Sequence, residues 1–267
     1  MNITPVQMPL IAILSDIHAN LPALEAVLKD ARECEVNHLV VLGDIVGYGA
    51  SPAECVAVIR RLGASCVMGN HDVEISKVRK RGWAFRDPDW KQCAYQAGLA
   101  HAGLCLDADQ AQWLSALPYK MKLDGAMAAH GSLHEPEAFH YIKDLESALP
   151  TLGLLRNERS TVGFFGHTHM QGLFTEDDDS IEWLDDARAR ITPRTTCAIT
   201  AGSVGRPRHE TERRATWVLW DSENNVVEFK KTDYNRLQAA HDIMVAGLPL
   251  ESALALLTAE EVAELLR

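Results

Sequence analysis

The sequence predicts an α/β fold, a layered sandwich of two mixed β-sheets flanked by helices. Three observations lead there. Over the first 72 residues, short continuous apolar runs alternate with amphipathic stretches. This βαβαβ rhythm argues for largely parallel strands covered on both faces. Residues 73 to 117 hold no clear strand and read as helices. Beyond about residue 160 the pattern is mostly β, and two helices finish the chain.

Each element follows from local chemistry. "PLIAIL" is the first apolar run. "LPALEAVLKDARECEV" places Leu21, Leu24, Val27 and Leu28 on one helical face, with Asn20 as N-cap and Pro22 in the first turn. "HLVVLGD" is the second run. "SPAECVAVIRRLG" reads as a helix with Ser51 as cap, Pro52 as its first residue and Gly63 as its stop. "ASCVMGNHD" is the third run. "DPDWKQCAYQAGLAHAGLCL" and "DADQAQWLSALP" read as helices, the second opened by an Asp107–Gln110 capping box. Asp124-Gly125 signals a tight hairpin between strands at 119–123 and 125–129. A helix near 143–156 leads into "STVGFFG". Strands are expected near 171–175, 180–184, 195–200, 215–221 and 226–231. "EDDD" at 176–179 reads as a solvated hairpin tip, and Thr258 with Glu261 as a capping box for the last helix.

With 267 residues, 47% of them hydrophobic, the chain can form a single domain over 1–267. Residues 73–117 would be a helical cap insertion and 233–267 C-terminal helices. Those last helices either bury themselves on the sheet or form the surface of a homo-oligomer. A net charge of -11 without a basic block argues against non-specific nucleic-acid binding. A small phosphorylated ligand remains compatible where a local cation, such as a metal, overrides that field. Cys34, Cys55, Cys66, Cys93, Cys105 and Cys197 form no C-x-x-C pair and read as reduced thiols of a cytoplasmic protein. The apolar stretch from Leu10 to Leu14 is too short for a signal peptide or a membrane span.

The apolar runs share one feature. Each ends in a residue that can bind a metal: Asp16 and His18, then Asp44, then Asn70 and His71, then His130, then His167 and His169. Taken alone, "FFGHTHM" reads equally well as a polar loop with two histidines. Five strand ends that deliver such residues to one edge of an α/β sheet read as a site. The i, i+2 spacing of Asp16 with His18, and of His167 with His169, lets each pair point one way if strand geometry persists. Two carboxylates, four histidines and an asparagine carbonyl, without a thiolate, suit Mn, Fe, Zn, Co or Ni better than Ca or Mg. Seven donors are too many for one tetrahedral ion. They suit two ions sharing a carboxylate, an arrangement that clamps the attacking and leaving oxygens of a phosphoryl displacement.

"DIH" at 16–18, "GD" at 43–44, "GNHD" at 69–72, "HG" at 130–131 and "GHTH" at 166–169 resemble, in order, the signature of the calcineurin-like metallophosphoesterases. "SDIHANLPALEAVL", "GDIVGYGASPAECV" and "AGSVGRPR" look like its bacterial and archaeal branch of small phosphoesterases. The resemblance implies that Asp16, His18 and His169 hold one divalent ion and that Asn70, His130 and His167 hold a second. Asp44 would bridge them, and manganese is the favoured metal. It implies that His71 is the catalytic histidine, protonating the leaving alkoxide or stabilising phosphoryl oxygens, with a metal-bridging hydroxide as nucleophile. Asp72 either orients His71 or serves a helix N-terminus. The activity implied is hydrolysis of small phosphodiesters or nucleotides. A phosphomonoesterase, phosphoprotein phosphatases included, and a non-catalytic scaffold are the alternatives.

The chain departs from the family pattern in places. Ala19 follows the first motif where glycine is common, at little cost unless that position needs a positive φ. Thr200-Ala201-Gly202-Ser203 stands for the usual "NPGS". Gly47-Tyr48 stands where the protein Ser/Thr phosphatases carry an Asp-Arg pair for phosphate, which disfavours a phosphoprotein substrate. Three residues are substrate-binding candidates. Arg206 and Arg208 either grip a second phosphate or pair with Glu210 or Glu212. Tyr48 either stacks on a base or sugar or packs against the cap. Trp83, Trp90, Tyr95 and Trp113 form either the cap's own core or a base-stacking wall.

Overall fold

A computed structural model describes residues 10–81, 93–123, 125–177, 181–208 and 212–265. Three parallel strands open the chain: β1 (Leu10–Leu14), β2 (His38–Val41) and β3 (Ser65–Cys66). The crossover helices α1 (Leu21–Glu33) and α2 (Pro52–Arg61) start where their caps predict. The Asn20 side-chain oxygen accepts from the Ala23 N–H at 3.2 Å. Ser51 takes the cap position of α2 but makes no side-chain cap bond, so that start rests on Pro52 and its preset φ.

Three helices follow: α3 (Asn70–Arg81), α4 (Ala94–Cys105) and α5 (Ala108–Ser115). Sequence reading misses α3, because its apolar residues are few and a strand-like run leads straight into it. Ile75 and Val78, three apart on one face, are buried and hold it down. The Asp107–Gln110 capping box of α5 forms as expected. Next come β4 (Lys120–Lys122) and β5 (Ala126–Ala129), an antiparallel pair. Asp124, half of the turn signal between them, lies outside the described residues.

The rest of the chain carries α6 (Leu145–Asn157), β6 (Val162–Phe165), β7 (Gln171–Thr175), β8 (Ile181–Trp183) and β9 (Arg188–Ile191). Then follow β10 (Cys197–Ala201), β11 (Ala215–Asp221) and β12 (Val226–Thr232). Among the described residues one sheet runs β3-β2-β1-β11-β12-β9-β8 and the other β4-β5-β6-β10-β7. Both are mixed. The largely parallel pattern holds for β1 to β3 and for β5, β6 and β10, but β11 pairs antiparallel to β1. Strands β7 and β8 do not form a hairpin: β7 pairs with β10 in one sheet and β8 with β9 in the other. Of the "EDDD" stretch expected as a hairpin tip, residues 178 and 179 lie outside the described residues. Strand β9 is missed because "RARI" is short and shows only two buried positions, Ala189 and Ile191.

Period-2 burial then builds four layers. Ile11, Ile13, Val40 and Val218 of the first sheet face Ala128, Val162, Phe164 and Ile199 of the second. The Phe164 and Trp220 ring centres lie 5.0 Å apart across this interface. On the outer face of the first sheet, Leu14, Val41 and Trp217 pack under α1 to α5. On the outer face of the second, Met127, Phe165 and Ala198 pack under α6.

Among the described residues three helices rather than two follow β12: α7 (Arg236–Val245), α8 (Leu250–Leu254) and α9 (Ala259–Leu265). The short α8 was hidden by its five-residue length. Thr258 and Glu261 cap α9 reciprocally, as expected. Ala239, Ala240, Ile243, Ala253 and Leu256 form one cluster with Ala97 of α4, and α7 also lies against α1. Much of the apolar surface of these helices is therefore buried within the chain.

Candidate metal centre

The loops after β1, β2 and β3 in one sheet, and after β5 and β6 in the other, meet at one end of the sandwich. Asp16, His18, Asp44, His71, His130 and His169 are all nearly fully buried there, and His167 is 8% exposed. The two i, i+2 pairs converge by a route that strand alternation does not provide. Asp16, His18, Asp44, His167 and His169 adopt φ of 53°, 49°, 52°, 65° and 60°, all in the left-handed region. Such a conformation costs a non-glycine residue on the order of 1–3 kcal/mol and persists only where the surroundings over-determine it. Here they do. Asp16 N–H donates to Gly43 O at 3.1 Å and His18 N–H to Asp44 O at 2.9 Å. Gly166 permits a close approach, since a Cβ there would lie 1.8 Å from Ser15 Oγ.

Ala19 shares this strain at φ 53°, with its N–H held by Ile45 O at 2.9 Å. The position does need a positive φ. Ala19→Gly should therefore stabilise the fold by roughly 0.5–1 kcal/mol, net of the added freedom of the unfolded chain. Thermal unfolding would read this as a higher Tm; an unchanged or lower Tm would mean the strain is relieved elsewhere.

Hydrogen bonds set the tautomers of the imidazoles. His18 Nδ1 lies 3.2 Å from Val46 O, His130 Nδ1 lies 2.6 Å from Leu42 O, and His169 Nδ1 contacts Arg206 O. A carbonyl only accepts, so each Nδ1 carries the proton and each Nε2 turns inward. The inward atoms then crowd. His18 Nε2 is 3.1 Å from His169 Nε2, and Asp16 Oδ1 lies 3.1 Å from the latter. Asn70 Oδ1 lies 3.1 Å from His130 Nε2.

The two carboxylates each bind a backbone N–H with one oxygen and turn the other toward the imidazoles. Asp16 Oδ2 accepts from Ser15 Oγ at 2.6 Å and from the His167 N–H at 2.9 Å, while Oδ1 is buried without a donor. Asp44 Oδ1 accepts from the His71 N–H at 2.8 Å. Its Oδ2 faces His130 Nε2 at 3.4 Å and His18 Nε2 at 3.8 Å. Lone pairs aimed at lone pairs in a buried site call for a cation between them. The groups Asp16–His18–His169 and Asp44–His130–His167 each bring three such donors within 4.8 Å of one another, and Asp44 also groups with His18 and His71. The residues present thus fit divalent metal ions of the class bound by mixed N/O donors.

Charge follows the same geometry. Burial alone would raise both carboxyls. The surrounding imidazoles outweigh it, chiefly His169 and His130 for Asp16 and His130 and His71 for Asp44, and hold both below the ordinary range. Burial lowers His130, but Asp44 and Asp16 push it up to about 9, so a proton sits where carboxylates need a cation. Burial takes His71 down to about 3 and His167 down to about 4, leaving both neutral at pH 7.

His71 differs from the other imidazoles. Its Nε2 lies 3.9 Å from Asp44 Oδ2, but its Nδ1 is buried without a partner and faces the Cα of Gly47, where a Cβ would come within 2.1 Å. With no acceptor at Nδ1, the proton belongs on Nε2, turned toward the centre. Asp72 does not orient this ring. Its carboxylate accepts from the N–H groups of Ile45, Val46 and Gly69 at 3.1, 3.4 and 3.1 Å. It ties the α3 start to the β2 loop, which is the helix N-terminal role.

The walls are aromatic. Tyr48 packs against His18 and His71 with ring centres 4.9 and 4.8 Å away, and Tyr95 of α4 sits 4.7 Å from His71. Gly98 of α4 allows this approach, since a Cβ there would meet Tyr48 N at 2.1 Å. The Arg206 guanidinium stacks 4.0 Å over Tyr48, with Nη1 buried and unpartnered. Arg208 is exposed and hydrogen-bonds the Tyr48 side chain. Neither arginine pairs with Glu212, which binds Arg214 and Lys231 instead; Glu210 lies outside the described residues. Trp113 is not in this wall: it packs on the α1–α5 side, with Arg60 5.8 Å from its ring. Trp83 and Trp90 lie outside the described residues. Sequence reading missed Tyr141, stacked on His167, and Ser203, whose Oγ donates to Asp16 O at 2.8 Å. Ser203 lies in the segment already singled out; Tyr141 sits in an irregular stretch that carries no signal.

Comparison with known proteins agrees with this geometry. The profile described as "Calcineurin-like phosphoesterase superfamily domain" matches residues 10–225. The chain is 28% identical over 245 residues to an uncharacterized protein of Methanocaldococcus jannaschii, covering 90% of this chain and 94% of that one. It is 30% identical to a metallophosphoesterase from Sphaerobacter thermophilus, with a TM-score of 0.77 over 93% of this chain and 98% of that one. A hypothetical protein from Pyrococcus horikoshii OT3 shares the fold at 20% identity, with a TM-score of 0.74 and the same coverage, 93% and 98%. Among the described residues no helix is long and apolar enough to cross a membrane. Five motifs meeting at one buried cluster of Asp and His, and a profile match spanning both sheets, make this chain a member of the calcineurin-like phosphoesterase superfamily and with it of the metal-dependent phosphoric ester hydrolases.

Proposed function

We propose that the protein is a dinuclear-metal-dependent phosphoesterase acting on small phosphodiesters or nucleotides. One observation carries this reading: Asp16 Oδ1 is buried without a hydrogen-bond donor, and both it and Asp44 Oδ2 face inward imidazole nitrogens. Asp16, His18 and His169 would hold one ion, Asn70, His130 and His167 the other, with Asp44 shared by both. Manganese is the favoured metal, and Fe, Zn, Co and Ni suit the same donors. Two divalent ions held there would supply Lewis acidity and an activated water at neutral pH.

The chain supplies the rest. Neutral His71 presents Nε2–H toward the centre, placed to donate to a phosphoryl oxygen or to the departing oxygen. Arg206 and Arg208, joined through Tyr48, form a cationic rim for the anionic substrate. We read 1–267 as one domain with 73–117 as its cap, on the packing of α4 and α5 against α2 and of Tyr95 over His71. A cytoplasmic location is supported by six free cysteines.

The test is turnover of a generic aryl phosphodiester against the matching monoester, after chelation and reloading with Mn²⁺. We expect about two equivalents of metal per chain, as the shared carboxylate requires. Activity should vanish with the chelator and return with the metal, and the diester should be preferred. A fully loaded protein that turns over neither ester would overturn this reading.

A further inference from the structure

Beside the His167–His169 turn lies a cavity of about 380 Å³ that no candidate metal ligand lines. That volume falls in the range of small-molecule sites. Met170 and Phe174 give it an apolar side, and Tyr141, Lys143 and Arg208 the rest of its character. Tyr141 connects it to the metal centre: its ring stacks on His167, centroids 3.9 Å apart and planes 12° from parallel. Lys143 Nζ lies 4.4 Å from the centre of the same ring. His167 covers one face of Tyr141, so the ammonium stands over the other. Arg208, which also contacts Tyr48, lines the same cavity. In a chain of net charge -11, two cations converge on one partly apolar cavity next to a phosphoesterase centre.

We propose that this cavity binds the far arm of the substrate, with an aromatic ring against Met170 and Phe174 and a second phosphate between Lys143 and Arg208. The proposal rests on the phosphoesterase reading above. It narrows the substrate to esters or anhydrides of nucleoside phosphates that carry a phosphate beyond the scissile one. Two separated cations match a second anionic group better than a single one. The apolar side selects a planar ring over a sugar alone.

Binding to the Mn²⁺-loaded protein tests it directly. Adenosine 5′-monophosphate should bind at least tenfold more tightly than ribose 5-phosphate, which has the phosphate but no ring. It should shift the Met170 methyl resonance, and Lys143→Ala should weaken it about tenfold, the loss of one charge-assisted contact. Equal affinity for the two ligands, or a Lys143→Ala affinity within twofold of the parent, would overturn the proposal. Turnover of a small aryl methyl phosphodiester separates the two readings. If that ester is hydrolysed while nucleotide binding ignores Lys143, the subsite is wrong and the phosphoesterase reading stands. If nucleotide binding depends on Lys143 while no ester is hydrolysed, the subsite stands and the catalytic reading fails.

Discussion

Asp44→Asn is expected to empty both halves of the metal centre and to lower turnover by at least about 10³-fold, the loss of several kcal/mol of charge stabilisation. The reasoning starts from two oxygens. Asp44 Oδ1 is held by the His71 N–H at 2.8 Å, and asparagine keeps that acceptor. Oδ2 becomes an amide NH₂, which donates toward His130 Nε2 and His18 Nε2 where the carboxylate had faced them. The site then satisfies itself without a cation, and one buried charge is gone. The metal-free variant should therefore melt no lower than the metal-free parent, while added Mn²⁺ should no longer raise its Tm. Elemental analysis and paired melting curves check both halves. A variant that still binds two ions would show that Asp44 is not shared.

His71→Ala should behave in the opposite way: both ions retained, turnover reduced by about 10²–10⁴-fold, as for the removal of a general acid. His71 is held by packing against Tyr48, Tyr95 and His18 and by its own backbone bond to Asp44, not by a side-chain acceptor. Alanine keeps the backbone bond, so Asp44 stays in place. Only the Nε2–H aimed at the centre disappears. Metal content unchanged with kcat reduced is the expected pair of results. Full activity in a metal-loaded His71→Ala protein would remove this ring from the reaction.

The two substitutions separate what sequence could say from what it could not. Residue types at the ends of apolar runs are legible, because a buried strand that stops in Asp, Asn or His has few structural reasons to do so. Thus Asp16, Asp44, Asn70, His130 and His167 stand out as candidates, and the structure brings them together. Their backbone was not legible: five candidate ligands sit at positive φ, a choice that propensity disfavours and only the surrounding loops enforce. For Asp72 the sequence leaves a helix N-terminal role and the orientation of His71 equally open, since the choice depends on loop contacts from Ile45 and Val46. Strand β9 and helix α8 were too short to show a period. The crossing from β7 to β8 looked like a hairpin because sequence reports proximity along the chain and not membership of a sheet.

The candidate ligands are divided between the two sheets: Asp16, His18, Asp44 and Asn70 follow strands of one, and His130, His167 and His169 follow strands of the other. Among the described residues no hydrogen-bonded ladder joins those sheets; apolar contact presses them together, with single hydrogen bonds across the seam such as those from Gln171 Nε2 to Trp217 O and Lys230 O at 2.8 and 3.2 Å. Ions held from both sides would act as rivets at one end of that seam. Opening the seam and releasing the ions would then be a single cooperative event. Metal supply would decide whether the molecule comes apart as one body or as two.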